Sequence, residues 1–185
     1  MTGTIRGVAA GAAIAVLAAC GATQAGAGSA RPREYSVPIY NVNNQQVASF
    51  TVRQVSADSV RLVVESTGLP AGTHGTHLHA VGRCDAAQQF TTAGPHLNPT
   101  NRQHGLRNPQ GPHLGDMPNL TVGGNGQGRL ETIVRGSLTP GRAPLFDADG
   151  TSLVVHASAD DQVTDPAGNS GARIACGVLS APTAG

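Results

Sequence analysis

Apolar and polar residues alternate with a period of two over much of the chain beyond residue 34. Tyr35, Val37 and Ile39 fall on one face of a first segment, Ala48, Phe50 and Val52 on one face of a second, and Val60, Leu62 and Val64 on one face of a third. Leu130, Thr132 and Val134, then Leu153 and Val155, then Ile174, Cys176 and Val178 repeat the pattern. Side chains two apart leave an extended backbone on the same side, so each segment reads as a strand with one face for a core. The stretches NVNNQ, SADS, GLPAG, GGNGQG, TPGRAP and DADG supply turn residues between them. Short strands punctuated in this way predict an all-β sandwich or barrel. With three phenylalanines, two tyrosines and no tryptophan, the core must rest on Val, Leu, Ile and Ala.

One segment breaks the rhythm. From Asp85 to Leu120 the chain is rich in Gly, Pro, His and Asn, and the alternation is lost. A connection of that length in a compact domain is either functional or disordered. His96, His104 and His113 are spread through it, and Asp116 follows His113 by three positions. These residues favour function, because a metal ion would supply ordering energy that the loop cannot obtain from apolar burial.

Parity brings further histidines to the same place. In GTHGTHLHAVGRC, residues 72 to 84, a strand puts His77 and His79 on one face and Thr76 and Leu78 on the other, so the two histidines can converge on one ion. His74 lies beyond Gly75 with the opposite parity and reads as a hydrogen-bonded support rather than a ligand. If Leu153 and Val155 face the core, His156 faces out of the barrel, where the long histidine-bearing loop would cover it.

The start of the chain is of another kind. Arg6 precedes GVAAGAAIAVLAAC, a run too short to span a bilayer as a mature helix but of the length of a signal-peptide core. Residues 1–19 are read as a signal peptide. Leu17 to Cys20 resemble a lipoprotein cleavage box, which would make Cys20 a lipid anchor; a plain signal peptide cut a few residues later is the alternative. GATQAGAGSARPRE then reads as a flexible tether to residue 34, and residues 35–185 as one domain. Setting Cys20 aside leaves Cys84 and Cys176, an even pair read as one disulfide of an exported protein. The other possibility, Cys84 as a metal ligand, lacks the second nearby thiol of a typical thiolate site. The expected location is the periplasm or cell surface, held to the membrane through the lipid. A formal net charge of +1 gives no sign of a nucleic-acid partner, and all twelve basic residues are arginine.

Taken together, GTHGTHLHAVGRCD, TTAGPHLNPTNRQHG, GPHLGDMPNL, SLVVHASADD and GNSGARIACGV resemble the bacterial copper,zinc superoxide dismutases over nearly all of residues 35 to 180. The resemblance implies an eight-stranded Greek-key β-barrel with long metal-binding and active-site loops, a monomer or homodimer with one copper and one zinc per subunit. It implies dismutation of superoxide to dioxygen and hydrogen peroxide by a redox-cycling copper bridged through an imidazolate to a structural zinc. Carried over, the copper ligands are His77, His79, His96 and His156; the zinc ligands are His96, His104, His113 and Asp116. His96 then serves as both shared ligand and proton donor, and Arg173 binds the anion. Asp160, with an uncertainty of one place against Asp161, accepts hydrogen bonds from His77 and His104. Four imidazoles suit Cu(II), and three histidines with a carboxylate suit a closed zinc site. A copper or zinc chaperone, or a surface domain whose metals only stabilise loops, are the competing functions. The segment from Asp161 to Arg173 is shorter than the eukaryotic loop that guides superoxide and carries no lysine or glutamate; Arg83, Arg102 and Arg107 are the candidates to replace that field.

Overall fold

Alternation becomes pairing in the computed structural model, which describes residues 1–3, 34–138, 145 and 147–180. Cys20, the tether and all but the first three residues of the expected signal peptide lie outside the described residues. Among the described residues, nine antiparallel strands form the barrel: β1 (Glu34–Asn41), β2 (Gln46–Ser56), β3 (Ser59–Ser66), β4 (Gly72–His74), β5 (Thr76–His79), β6 (Leu120–Val122), β7 (Gly128–Arg135), β8 (Thr151–His156) and β9 (Arg173–Leu179). Their order is β4-β6-β7-β3-β2-β1-β9-β8-β5. Since β4 and β5 are two halves of one strand interrupted at Gly75, the first and last places in that order meet, and the nine segments make an eight-stranded closed sheet.

The interruption has a local cause. Gly75 turns its backbone away from β6, donating to Ser158 O at 2.8 Å and accepting from the His156 N–H at 2.8 Å. A Cβ there would lie 2.7 Å from that of Ser170, so only glycine permits the approach. The break switches the strand from β6 to β8 just before His77 and His79.

The inward faces fill the core as the alternation requires. Ile39, Phe50, Val52, Val60, Leu62, Val64, Leu78, Leu120, Leu153 and Val155 are wholly or almost wholly buried in one cluster. Each such side chain contributes roughly 1.5–3 kcal/mol relative to exposure. Strand β9 departs from the simple pattern. Ala175 and Leu179 belong to the main core, whereas Cys176 joins Phe90, Ala93 and Val154 in a second cluster on the outer side. The apolar outer face of β9 is covered by the segment from Cys84 to Gly94, which includes the 3₁₀ turns Ala86–Gln88 and Thr91–Ala93. A disulfide between Cys84 and Cys176, with Cα atoms 5.7 Å apart, fastens that segment to the strand.

Candidate metal centre

All seven histidines of the chain are buried, six of them together on the outer side of the barrel beneath the long loops. Strand β5 presents His77 and His79 outward while Leu78 enters the core, and β8 presents His156 outward between the inward Val155 and the loop that follows. The loop between β5 and β6 delivers His96, His104, His113 and Asp116. Isolated bridges from His77 to Asp116 and from His79 to His96 stitch that loop to β5.

Two groups of ligand atoms result. His77, His79, His96 and His156 each offer one nitrogen, all within 4.8 Å of one another. Four buried ring nitrogens, His77 Nδ1, His79 Nε2, His96 Nε2 and His156 Nε2, have no hydrogen-bond partner. Leaving a buried polar atom unpaired costs about 1–3 kcal/mol, so four such atoms in one cluster are in keeping with a group that binds an ion. The opposite ring nitrogens are anchored. His77 Nε2 is 2.7 Å from Asp160 Oδ2, His79 Nδ1 donates to Gly94 O at 2.9 Å, and His156 Nδ1 donates to Gly171 O at 3.1 Å.

The second group brings His77, His96, His104 and Asp116 within the same 4.8 Å. Its composition differs from the expected one in naming His77 rather than His113. Nonetheless His113 Nδ1 lies 3.3 Å from Asp116 Oδ1 and 3.5 Å from His96 Nδ1. His96 Nδ1 and His104 Nδ1 lie 3.1 and 2.9 Å from the same carboxylate oxygen. A tetrahedron with metal–ligand bonds of about 2.0–2.1 Å has edges of about 3.3 Å, so His96, His104, His113 and Asp116 fit a zinc ion. His77 fits it less well, because its Nε2 is already held by Asp160 and its Nδ1 is one of the four unpaired atoms. His96 faces both groups, Nδ1 toward Asp116 and Nε2 toward the other three imidazoles.

Asp160 joins the two groups. Its Oδ1 lies 3.0 Å from His104 Nε2 while Oδ2 holds His77, and Asn119 fixes its backbone by bonds of 2.8 and 2.9 Å. The carboxylate of Asp161 points elsewhere, accepting from the Val163 and Thr164 N–H groups, the Thr164 hydroxyl and the Asn169 amide. Of the two adjacent carboxylates, it is Asp160 that faces His77 and His104. His74 stands outside both groups, its ring nitrogens facing His156 O at 2.7 Å and Pro70 O at 2.9 Å.

Electrostatics keep His79, His96 and His156 of the first group neutral. Burial, joined by the charge of His77, brings His156 down to about 3, and burial, partly offset by the Asp116 hydrogen bond, brings His96 down to about 4. Burial also holds His79 well below its ordinary value, with the charges of His96 and Arg173 adding to the effect. Lone pairs on these rings are therefore free at neutral pH. On the other side, burial opposes the charge of His104, yet the hydrogen bonds to Asp116 and Asp160 outweigh it and raise this histidine to about 9. Burial likewise opposes ionisation of Asp116, but its bonds with His104, His96 and the Gly105 N–H hold it well below the carboxylate range.

Arg173 opens β9 with its guanidinium tied down by Phe90 O at 2.8 Å and Gly94 O at 2.7 Å. Gly94 O therefore accepts from both Arg173 and His79. Of five guanidinium N–H groups, two are spent on these carbonyls and the rest remain for an anion. The two carbonyls were not among the residues expected from the sequence. A backbone acceptor has no residue-type signature, so nothing in the sequence marked it.

Among the three arginines considered for guidance, Arg83 lies 3.9 Å from Asp85 and Arg107 donates to Asp161 O. Arg102 makes no ion pair among the described residues and lines a cleft of about 560 Å³ with His96, Asn101, His113 and Asp165.

Such a Greek-key barrel, with two adjoining groups of metal-ligand type that share His77 and His96, defines a class of β-barrel proteins able to bind metal ions. The sequence profile of the copper/zinc superoxide dismutase family matches residues 46–179. A copper–zinc superoxide dismutase of Aquifex aeolicus is 37% identical over 148 residues, covering 76% of this chain and 84% of that protein. One from Caulobacter vibrioides is 41% identical over 124 residues, covering 65% and 71%. The crystal structure of a superoxide dismutase-like protein from Bacillus subtilis superposes with a TM-score of 0.70 at 35% identity, covering 78% of this chain and 97% of that one. The chain belongs to the copper/zinc superoxide dismutase family and is a superoxide dismutase.

Proposed function

We propose that this chain dismutes superoxide with copper held by His77, His79, His96 and His156 and zinc held by His96, His104, His113 and Asp116. The carrying observation is the set of four unpaired buried nitrogens, one from each of the first four histidines. Copper there supplies one-electron redox chemistry, and zinc supplies a fixed charge beside it. Arg173 draws the anion to the mouth of the site and orients it, since its guanidinium is charged at every working pH. With both ions bound, His96 would keep Nδ1 on the zinc side, and its Nε2 would be the atom that holds a proton and delivers it to the product peroxide. A second proton comes from water, so two superoxide anions and two protons give one dioxygen and one hydrogen peroxide. Asp160 fixes the rings of His77 and His104 so that neither can rotate away from its group.

The disulfide fits an oxidising compartment, which agrees with export. Export through the N-terminal signal and anchoring through an acylated Cys20 complete the reading, and mass spectrometry of the mature N-terminus tests that part.

The central test is reconstitution with copper and zinc, followed by metal analysis and a superoxide assay on the same sample. One copper and one zinc per chain with strong dismutation is the expected result. Zinc in both sites, or correct loading without activity, would support a structural or metal-carrying role instead.

A further inference from the structure

The outer contacts of the ligand histidines leave one gap. His77 and His104 rest on Asp160, His79 on Gly94 O and His156 on Gly171 O, while His96 turns both nitrogens inward. His113 alone has an outer nitrogen, Nε2, without a hydrogen bond among the described residues. The carboxylate nearest to it is Asp165, with Oδ1 at 3.8 Å. The same oxygen accepts the His104 backbone N–H at 2.7 Å.

We infer that Asp165 is a positioning residue for the zinc-side histidines, holding the backbone of His104 and the outer ring nitrogen of His113. This rests on the proposed zinc site. With Nδ1 taken up by the proposed zinc ion, the ring N–H of His113 lies on Nε2, where a carboxylate is the natural acceptor. Movement of less than about 1 Å would turn 3.8 Å into a hydrogen bond of ordinary length.

The loop between β8 and β9 is built to make this contact. The Asp161 carboxylate caps the Val163 and Thr164 N–H groups at 2.9 and 2.8 Å, and the Gly168 N–H closes back on Thr164 O at 2.7 Å. That turn delivers Asp165 to the β5–β6 loop. One loop thus supplies carboxylates to both sides of the zinc group: Asp160 from within and Asp165 from the cleft. The Asp165 side chain is 50% exposed, so its effect lies at the weak end of the tenfold to hundredfold range for outer-shell partners.

Zinc release from the loaded chain into a chromogenic chelator at neutral pH tests the assignment. Asp165→Ala should release zinc about tenfold faster than the unaltered chain. Asp165→Asn keeps the shape and an acceptor for His104 but not the charge, and should fall between them; thermal unfolding of the metal-free forms checks that each is folded. A double-mutant cycle with His113→Ala separates the two contacts. A markedly smaller effect of Asp165→Ala in the His113→Ala background supports action through the ring. An equal effect in both backgrounds overturns the contact with the His113 ring, and release unchanged in both Asp165→Ala and Asp165→Asn overturns the inference. Failure of the unaltered chain to hold zinc overturns the zinc site itself and the inference with it.

Discussion

Asp160 and Asp161 are adjacent carboxylates with separate tasks, and substitution distinguishes them. Burial raises the intrinsic cost of ionising Asp160, but the bonds from His104 and His77 and the Gln162 N–H hold it well below the carboxylate range. Asp160→Asn removes that charge and presents an amide N–H₂ to one of two rings that both need an acceptor. Zinc affinity should fall 10–100-fold, read by competition with a chelator. Asp161→Asn should weaken zinc less, because its partners are the turn groups and not the histidines. The reverse order would show that the turn matters more than the bridge. Arg173→Ala should leave both metals bound and slow dismutation about tenfold, the scale of one charge-assisted hydrogen bond, with a flatter dependence on salt. Unchanged rates at full metal content would remove its role in binding the anion.

Two elements meet at the disulfide, and this gives the bond a consequence for the site. Cys176 lies on β9 three residues after Arg173, while Cys84 begins the segment that carries Phe90 O and Gly94 O, the two acceptors of Arg173. Replacing both cysteines by serine should lower stability by about 4 to 5 kcal/mol, given that the bond closes a separation of 92 residues. Activity should fall further than metal content does, because the arginine loses its fixed acceptors; equal losses would place the effect in folding alone. The strands that hold these segments were legible to unequal degrees. β1, β2, β3, β7 and β8 showed clear alternation because one face of each enters the core. β4 and β6 have three residues each, too few to show a period. Nor could β9 reveal which of its faces met the main core, since the disulfide segment makes both faces apolar surroundings. The histidines and Asp116 gathered at the candidate centre were open to reading because only a few residue types can hold metal ions. Asp165 was not, for an aspartate before a proline reads as an ordinary turn residue.

On the scale of the whole molecule, two properties follow from charge. Among the described residues Arg102 makes no ion pair, and this cation stands beside the His96 cleft where it can act on approaching anions. Arg102→Glu should lower the bimolecular rate at low ionic strength and converge on the unaltered chain at high salt, where the Debye length falls to about 3 Å. A difference that persists at high salt would mean a local effect instead.

The other property is acid sensitivity of the metal-free protein. His96 and His156 titrate near 4 and 3 when folded, while the unfolded rings titrate near 6.5. Below pH 6.5 the unfolded chain therefore binds protons that the folded chain refuses, and stability falls until the folded rings themselves protonate. Asp116 and Asp160 act in the same direction at lower pH: their folded values are depressed, so the stability they contribute is present above about pH 4 and lost below it. His104 has the opposite sign. Its folded value near 9 makes its contribution complete below pH 6.5 and lost as the pH rises through 9. The melting temperature of the metal-free chain should thus drop steeply from pH 6.5 to 4 and decline more gently above pH 7. Loaded protein should resist the acid limb until protons displace the metals, because bound ions occupy the same lone pairs. Calorimetric scans of both forms across that range provide the measurement. A metal-free melting temperature that stays level between pH 6.5 and 4 would mean that the buried imidazoles accept protons without strain, contrary to the neutral, lone-pair-inward cluster described above.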